Sequence, residues 1–454
     1  MLGTEREIID NYIEKYSNLC TDLGMIDKDL YDQYDVKRGL RDINGKGVLA
    51  GITKVSLVKG MDEQGDTRTP VEGKLYYRGY DVEDLIQGAI SHKRFGFEEI
   101  AYLLLFSTLP NREQLSEFTQ ILGASWSLPK NFVRDVIMKA PSKDIMNSMT
   151  KSVLTLASYD NKIDDLSINN VLRQCLHLIG IFPRMAVYGY HAYNHYDLNG
   201  SLYIHRPDSK LSMAENILRM LRSDTGYTPL EAQILDAALV LHMEHGGGNN
   251  STFTTRVITS AGSDTYSAIA AAILSLKGPK HGGASNKVPD MMQDIREHVS
   301  DITDEDEVRN YLTKILDRET FDRRGLIYGM GHAVYTLSDP RAKIFRGFVE
   351  QLARDKGRKA DYDFYAMIAR LGPEVINAKR RIYKGVCVNV DFYSGFVYNM
   401  LDIPMQLFTP IFAVARIVGW SAHRIEELVN ADKIMRPAYK SISKLNDYVD
   451  ISQR

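Results

Sequence analysis

The stretch Gly262–Val288, GSDTYSAIAAAILSLKGPKHGGASNKV, decides how this fold is read. Residues 268–276 are apolar on nearly every side, which is typical of a helix buried within a large helical body. The Gly-Pro pair at 278 and 279 cannot continue that helix. The stretch therefore predicts a central helix that ends next to His281, where small residues leave room for a ligand. A surface histidine in a glycine turn is the alternative from these residues alone.

Composition and charge describe an ordinary globular chain and narrow its classes of partner. The 454 residues are 44% hydrophobic and 25% charged, and 56 Lys and Arg against 58 Asp and Glu give a net charge of −2. Because there is no general excess of positive charge, we expect no nucleic-acid partner. The three isolated cysteines argue against a disulfide framework or a zinc ribbon. No apolar run approaches the roughly 18 residues of a membrane span, and the N-terminus lacks a targeting pattern, so we expect a cytoplasmic protein without a membrane contact.

Apolar residues at helical spacing predict an all-α fold over nearly the whole chain, beginning with an amphipathic helix at the N-terminus. The convincing strand candidates are residues 48–58 and 74–80, which predict a short β-hairpin near the N-terminus. A more highly charged stretch follows the central helix. We therefore predict a large multi-helical domain of residues 1–280 and 395–454, which carries the dimer contact, and a smaller helical domain of residues 281–394.

A second helix start is marked at Thr228 by three agreeing signals. They are a threonine cap, a proline at the first helical position, and Glu231 three residues after the cap. The apolar stripe of this helix continues to His245, so we predict an inward-facing histidine at its C-terminal end. A core histidine satisfied by a carbonyl group is the alternative.

Histidines, a carboxylate and several arginines form the candidate chemistry of the chain. A buried arginine needs a carboxylate partner from the protein or from a ligand, and several arginines can hold a di- or tricarboxylate. Structural ion pairs are the alternative, for Arg416 within an apolar helix and for Arg341 with Asp339. Histidines near neutrality can donate to a carbonyl oxygen, and a carboxylate such as Asp391 in an apolar setting can remove a carbon-bound proton. The set indicates carbon–carbon bond chemistry on a keto acid.

Five motifs, in this order and spacing, resemble those of the citrate synthase family. They are LHMEHGGGNNST from Leu241, KGPKHGGASNKV from Lys277, GMGHAVYTLSDPRAK from Gly329, NVDFYSG from Asn389 and IMRPAYK from Ile434. The segment LYYRGYDVEDL from Leu75 also resembles the opening segment of that family. The likeness covers nearly the whole chain, and it makes the structural alternatives above less favourable.

The resemblance implies a role for each matching residue. His281 matches the histidine that hydrogen-bonds the thioester carbonyl of acetyl-CoA, and Asp391 matches the base that takes the methyl proton. His332 matches the residue that polarises and protonates the ketone of oxaloacetate. Four residues match the groups that bind the carboxylates of oxaloacetate: His245, Arg341, Arg416 and Arg436. The last of these is of the kind that a neighbouring subunit supplies.

The resemblance also implies a homodimer whose smaller domain closes over the substrates. Ile327, Tyr328 and Gly329 lie where the family's backbone meets the adenine of CoA, and Lys384 is a candidate phosphate partner. Oxaloacetate and acetyl-CoA are substrates, so we expect no cofactor and no metal. The implied reaction condenses the two with water and releases citrate and free CoA through an enol intermediate, in the manner of the tricarboxylic acid cycle enzyme.

Some positions depart from the commonest family pattern. Met243 and Glu244 precede His245 where a small residue and Asp are frequent, and Met330 stands where an aromatic residue is usual. We expect these residues to touch the pocket and to affect which acyl group is accepted. Propionyl-CoA adds only one methylene, which an apolar pocket discriminates by about 1–3 kcal/mol. A 2-methylcitrate synthase is therefore the nearest alternative.

Two further classes of function compete with this one. A metallohydrolase is suggested by His242 and His245, but a catalytic zinc needs three protein ligands and the spacing offers two. A non-catalytic helical scaffold is compatible with the composition and leaves the buried arginines unexplained.

Overall fold

The computed structural model describes residues 3–42, 46–64, 67–379, 385–430 and 433–453. The chain divides into two compact units, Met1–Ala50 and Gly51–Arg454. The first unit contains helix α1, Gly3–Gly24, helix α2, Asp29–Gln33, and a 3-10 turn at Arg38–Leu40. The amphipathic N-terminal helix predicted from the sequence is thus confirmed.

The second unit is mainly helical and contains one small sheet. Its strands are β1 Ser56–Gln64, β2 Thr67–Tyr77 and β3 Tyr80–Asp81. The helices before the central segment are α3 Val82–Ser91, α4 Phe97–Phe106, α5 Arg112–Ala124, α6 Ile145–Ala157, α7 Ile168–Tyr196, α8 Met213–Leu221, α9 Pro229–His242 and α10 Asn250–Ser260. The remaining ones are α11 Thr265–Leu276, α12 Lys287–His298, α13 Glu305–Leu316, α14 Pro340–Asp355, α15 Lys359–Lys379, α16 Val390–Met400 and α17 Phe408–Asn430. The predicted all-α fold class is confirmed.

The sheet is an antiparallel hairpin, β1-β2, extended by the short β3. Pairing runs from Ser56 opposite Tyr77 to Gln64 opposite Thr67. The prediction of a hairpin near the N-terminus is confirmed, but its extent is wrong: residues 48–55 lie outside the strands, and toward the tip residues 61–64 pair with residues 67–70, beyond the two strand candidates. The tip carries charged side chains without an apolar alternation, so its pattern does not reveal the pairing.

The most deeply buried helix is α17, and it packs against α4, α6, α7, α9, α10 and α11. Every residue from Phe408 to Arg424 is buried. Among the described helices, the segment Met405–Asn430 alone is long and apolar enough to cross a membrane, and 89% of its apolar window is buried within the protein. The predicted central helix, α11, lies beside α17 and leaves Leu274 about half exposed. The centre of the core is therefore α17, since α11 has one open side.

Helices α13 to α16 pack largely on one another. Helix α15 packs against α13 and α14, and α14 packs against α16 as well as against α9. Phe345 of α14 and Tyr398 of α16 lie beside His242 at the C-terminal end of α9, which positions the site described below. The predicted domain boundaries, residues 281 and 394, stay a prediction.

Candidate active site

The C-terminal end of α9 delivers the first histidines of the site. The predicted start is confirmed: Thr228 accepts from the Glu231 backbone N–H in a complete capping box. The predicted end is wrong, because α9 stops at His242 and His245 stands in the following loop. The Tyr77 hydroxyl lies 3.0 Å from the backbone oxygens of Val240 and Glu244, so it closes the last turn of the helix. That tertiary contact is absent from the local sequence pattern.

His245 and His332 face each other in this loop region. Their ring centroids are 5.0 Å apart at an interplanar angle of 87°. His332 Nδ1 accepts the backbone N–H groups of Val334 at 3.1 Å and Tyr335 at 3.2 Å. A neutral His332 ring therefore carries its proton on Nε2, the tautomer needed to donate to a substrate oxygen. Burial, followed by Arg341, lowers the pKa of His245 well below its ordinary value, so this ring is neutral, and its Nε2 has no partner among the described atoms.

The two predicted arginines inside the chain differ in their pairing. Arg341 donates to both oxygens of Asp339, at 3.0 and 2.7 Å, so the ion pair considered from the sequence exists. Arg416 is fully buried, donates through Nε to the His242 backbone oxygen at 2.6 Å and stacks over the Phe412 ring at 4.7 Å. Its Nη1 and Nη2 are buried with no hydrogen-bond partner among the described residues. Burial lowers the pKa of Arg416 to about 10, so the guanidinium stays charged at neutral pH. Two charged donors are thus available for an anion.

Asp391 lies in the first turn of α16, where the Asn389 side chain accepts its backbone N–H at 3.1 Å. Its Oδ1 is buried without a partner among the described atoms. Burial raises the pKa of Asp391 to about 6, although Arg341 and Arg416 favour the charged form. A carboxylate poised near neutrality and without a partner has the properties of a general base.

Hydrogen bonds connect the loop that carries His332 to the loop that precedes Asp391. The Gly331 N–H donates to the Cys387 oxygen at 2.7 Å, and the Asn389 N–H donates to the Gly329 oxygen at 2.9 Å. The Asn389 side-chain amide donates to the Gly331 oxygen at 2.9 Å. Gly329 has φ +78°, and a Cβ there would lie 2.8 Å from Phe392, so this position needs glycine. The motifs around 332 and 391 therefore form one backbone frame.

His281 lies shortly after the C-terminal end of α11, as predicted. Its Nε2 lies 3.2 Å from Ser251 Oγ, which also accepts the Trp420 indole N–H at 3.1 Å. Burial, followed by Arg416, lowers the pKa of His281 to about 4, so the ring is neutral at physiological pH. The turn at Gly282–Asn286 packs against α16, the helix of Asp391. The two predicted catalytic segments are therefore neighbours in space.

Electrostatic coupling shows which predicted residues share one site. Besides burial, four neighbouring groups lower the pKa of His245: Arg341, His332, Arg416 and His281. Asp391 in turn favours the charged form of Arg416. The six residues predicted from distant motifs are thus brought together: His245, His281, His332, Arg341, Asp391 and Arg416. Arg436 is exposed on the C-terminal segment and belongs to no described contact with this cluster.

The residues predicted to contact CoA are placed only in part. Ile327 is buried, and the Tyr328 hydroxyl donates to Asp322 at 2.6 Å. Lys384 lies outside the described residues. Met330, expected at the pocket, directs its thioether toward Gly372 of α15, where a Cβ would lie 2.7 Å from the Met330 methyl carbon. Its effect on the acyl group stays a prediction.

Several aromatic residues of the site were not predicted. The Tyr335 ring stacks on His332 at 4.7 Å, and the Tyr335 and Tyr398 hydroxyls are buried without a partner among the described atoms. Phe412 stands one helical turn before Arg416 and lies 4.2 Å from the His242 ring. The helical spacing of Phe412 from Arg416 is a signal that could have found Phe412. Tyr335 lies with His332 in a loop, where no such periodic signal exists.

His242, the other residue of the zinc alternative, lies in an aromatic surrounding of Phe345, Tyr398 and Phe412. Its two ring nitrogens are buried and have no hydrogen-bond partner in the described part of the chain. Within the described ranges, no three His, Cys, Asp or Glu side chains are grouped so that they could hold a metal ion.

Comparison with known proteins gives one consistent family. The family model described as "Citrate synthase, C-terminal domain" matches residues 42–438. Citrate synthase of Synechocystis sp. is 34% identical over 90% of this chain and 92% of its own length. The 2-methylcitrate synthase of Shewanella oneidensis is 31% identical over 90% of this chain and 95% of its own length.

Solved structures agree with this result. Citrate synthase of Thermoplasma acidophilum, in a ternary complex with carboxymethyl coenzyme A and oxaloacetate, superposes with a TM-score of 0.73. The two are 26% identical, and the match covers 92% of this chain and 99% of that one. Citrate synthase of Thermotoga maritima gives a TM-score of 0.70 and 28% identity over 90% of this chain and 98% of that one. On its sequence, its fold and the cluster of motif residues described above, this chain belongs to the citrate synthase family.

Proposed function

We propose that the protein is a citrate synthase, an acyltransferase that condenses acetyl-CoA with oxaloacetate and water to give citrate and free CoA. The observation that carries the proposal is the meeting of an unpaired base, Asp391, with an unpaired buried cation, Arg416. The base suits the removal of a weakly acidic methyl proton, and the cation suits a substrate carboxylate. Relatives named citrate synthase over most of the chain support the assignment.

Oxaloacetate would bind between the arginines and the histidine pair. Arg416 offers two terminal N–H groups to one carboxylate, while Arg341 is held rigid by Asp339 and keeps its remaining donors for the ligand. The neutral tautomer of His332 places a proton on Nε2 for the ketone oxygen, which becomes an alkoxide as the carbon–carbon bond forms. The bound orientation of the ketone is thereby set by groups on α14, α17 and the 332 loop.

Acetyl-CoA would be activated by Asp391 together with His281. A thioester methyl group is too weak an acid for a carboxylate alone, so the developing enolate oxygen needs a donor at the same moment. His281 is neutral and can donate from its ring, and its segment adjoins α16. Asp391 takes the methyl proton, the enol carbon attacks the ketone of oxaloacetate, and water then cleaves the thioester to release CoA.

The charges of the site support a homodimer in which Arg436 completes the partner's site. Arg341 is neutralised by Asp339, and Asp391 is largely ionised at neutral pH. A dianionic substrate therefore gains from one further cation besides Arg416. Arg436 lies on an exposed C-terminal segment that also exposes apolar side chains, among them Leu445. A second copy of the chain would cover that segment and receive the arginine.

Domain closure is the second part of this proposal. Residues 281–394 would move as a small domain over the large domain of residues 1–280 and 395–454, and so shield the enol from water. Oxaloacetate would bind first, because its carboxylates can bridge Arg416 of the large domain and Arg341 of the small domain across the cleft. Small-angle scattering should show compaction on addition of oxaloacetate alone, and an unchanged radius of gyration would refute the closure.

A 2-methylcitrate synthase is the alternative, and the relatives of that name favour keeping it. The deciding experiment follows free thiol during turnover of oxaloacetate with acetyl-CoA and, separately, with propionyl-CoA. A higher kcat/KM with acetyl-CoA supports citrate synthase, and the reverse supports the alternative.

Asp391→Ala should abolish thiol release with either substrate, whereas Asp363→Ala, at an exposed acid paired with Lys359, should leave it unchanged. Absence of oxaloacetate-dependent thiol release with both substrates would refute the proposed function, and full activity in the presence of a chelator would support a reaction without a metal.

A further inference from the structure

Glu244 is a fully buried carboxylate next to His245 that the reaction above does not use. Its Oε1 accepts three hydrogen bonds: from Ser56 Oγ at 2.9 Å, from His423 Nε2 at 3.0 Å and from the Gly246 N–H at 2.6 Å. Its Oε2 has no partner among the described atoms. A buried carboxylate is costly unless a positive charge lies near it, so the source of that charge has to be found.

His423 does not supply the charge. Arg256 donates to His423 Nδ1 through Nε at 3.1 Å and through Nη2 at 2.7 Å. Because Nδ1 accepts, the His423 ring is neutral and carries its proton on Nε2, which donates to Glu244. The Arg256 charge is itself balanced by Glu426 and Glu427. The counter-charge of Glu244 therefore lies outside this network.

Arg416 is a buried cation on the part of α17 that adjoins Glu244. Its Nε donates to the backbone oxygen of His242, two residues before Glu244. Gly419 stands one helical turn after Arg416, and a Cβ at that position would overlap Glu244 Oε2. The carboxylate is thus pressed against α17 beside Arg416. Burial would raise the pKa of Glu244, but the hydrogen bond from His423 Nε2 and the charge of Arg416 hold it at about 2, and Glu244 is the foremost group that favours the charged form of Arg416.

We propose that Glu244 is a positioning residue that balances the charge of Arg416 in the free protein, until a carboxylate of the substrate takes over that task. The inference rests on the proposed function, since it assumes that oxaloacetate binds at Arg416. It explains why a fully buried guanidinium can keep two donors unpaired without an ion pair among the described residues. It also means that Glu244 opposes oxaloacetate binding, because the bound dianion lies near a fixed negative charge.

The test is Glu244→Gln, which keeps the shape of the side chain and an oxygen that can accept the three hydrogen bonds, but removes the charge. Without oxaloacetate, the variant should melt below the wild type, because Arg416 is then buried without a counter-charge. Saturating oxaloacetate should restore most of the loss, since its carboxylate supplies the missing charge. Isothermal titration calorimetry should show that the variant binds oxaloacetate with a Kd lower than that of the wild type by a factor of roughly 5 or more. This is a coupling of the usual size between linked sites.

Glu427→Gln is the matched control, because Glu427 is also a buried acid, and it pairs with Arg256 and not with Arg416. It should lower the melting temperature by the same amount with and without oxaloacetate. If Glu244→Gln behaves like this control, or binds oxaloacetate more weakly than the wild type, the proposal is wrong. A wild type that fails to bind oxaloacetate would instead refute the proposed function as well.

A second variant covers the case in which Glu244→Gln does not fold. The double substitution Glu244→Gln with Arg416→Met removes both charges and should melt above Glu244→Gln alone. If the double variant is as unstable as the single one, or more so, Glu244 acts through its hydrogen bonds and not as a counter-charge.

Discussion

Replacing Asp391 by Asn should make the folded protein more stable while it removes the proposed base. The carboxylate is buried enough to raise its pKa from 3.8 to about 6. Between these two pH values the folded state binds more protons than the unfolded state, so stability falls as the pH rises through this window. The full cost of the ionised group is present above pH 6, and an uncharged Asn avoids it.

The magnitude follows from the same two pKa values. Each tenfold change in proton affinity corresponds to about 1.4 kcal/mol, so the cost at neutral pH is about 2–3 kcal/mol once partial exposure is considered. A chain of 454 residues has an unfolding entropy of about 1 kcal/mol per degree. Asp391→Asn should therefore raise the melting temperature by about 2–3 °C at pH 7.5. At pH 4 the two proteins should melt alike.

The assay is thermal unfolding of both proteins at pH 4, 5, 6 and 7.5, with thiol release measured in parallel. Asp339→Asn is the control with the opposite sign, because it leaves buried Arg341 without its partner and should cost about 3–5 kcal/mol. An Asp391→Asn protein that melts at or below the wild type at pH 7.5 would refute the reasoning, as would a gain that does not depend on pH.

Three further substitutions probe the frame of the site. Arg416→Lys should raise the KM for oxaloacetate by roughly 10- to 100-fold in steady-state kinetics, because an ammonium cannot present the planar pair of donors. Gly329→Ala should lower the free energy of unfolding by about 1–3 kcal/mol and reduce kcat, because the new Cβ meets Phe392. Gly331→Ala is the control: there is open space around this position, so only the smaller cost of backbone strain should appear in the same assays. Tyr77→Phe should cost about 1–2 kcal/mol in denaturant unfolding and lower kcat/KM, since the end of α9 loses its hydroxyl bridge; unchanged kcat/KM would show that this bridge does not position His245.

Much of the fold follows from local signals in the sequence. The capping box at Thr228 and the apolar spacing of the helices are read from a few neighbouring residues, and both appear in the structure. The errors arise where tertiary contacts override such signals. Helix α9 ends at His242 although the apolar stripe runs on, because Tyr77 and the groups around Glu244 hold the chain in a different path.

The site was predicted through motifs, and the structure adds what motifs cannot express. Arg341 and Arg416 are both arginines in apolar surroundings, yet the first is paired within the protein and the second is not. Asp339, two residues before Arg341, made the first pairing visible in the sequence. The relation of Arg416 to Glu244 depends on a contact at Gly419, 175 positions away from Glu244 in the chain. Only the folded chain reveals such a contact.

The backbone bonds to His332 set the direction in which protons can pass through that ring. Two N–H groups point at Nδ1, so a second ring proton there would meet two positive hydrogen atoms. The imidazole can therefore give up and regain a proton through the same nitrogen only, and a doubly protonated ring is disfavoured. In each catalytic cycle, His332 Nε2 would have to regain its proton from the substrate side of the ring. Restoring the neutral ring is then part of product formation, and it needs no path to bulk water at Nδ1.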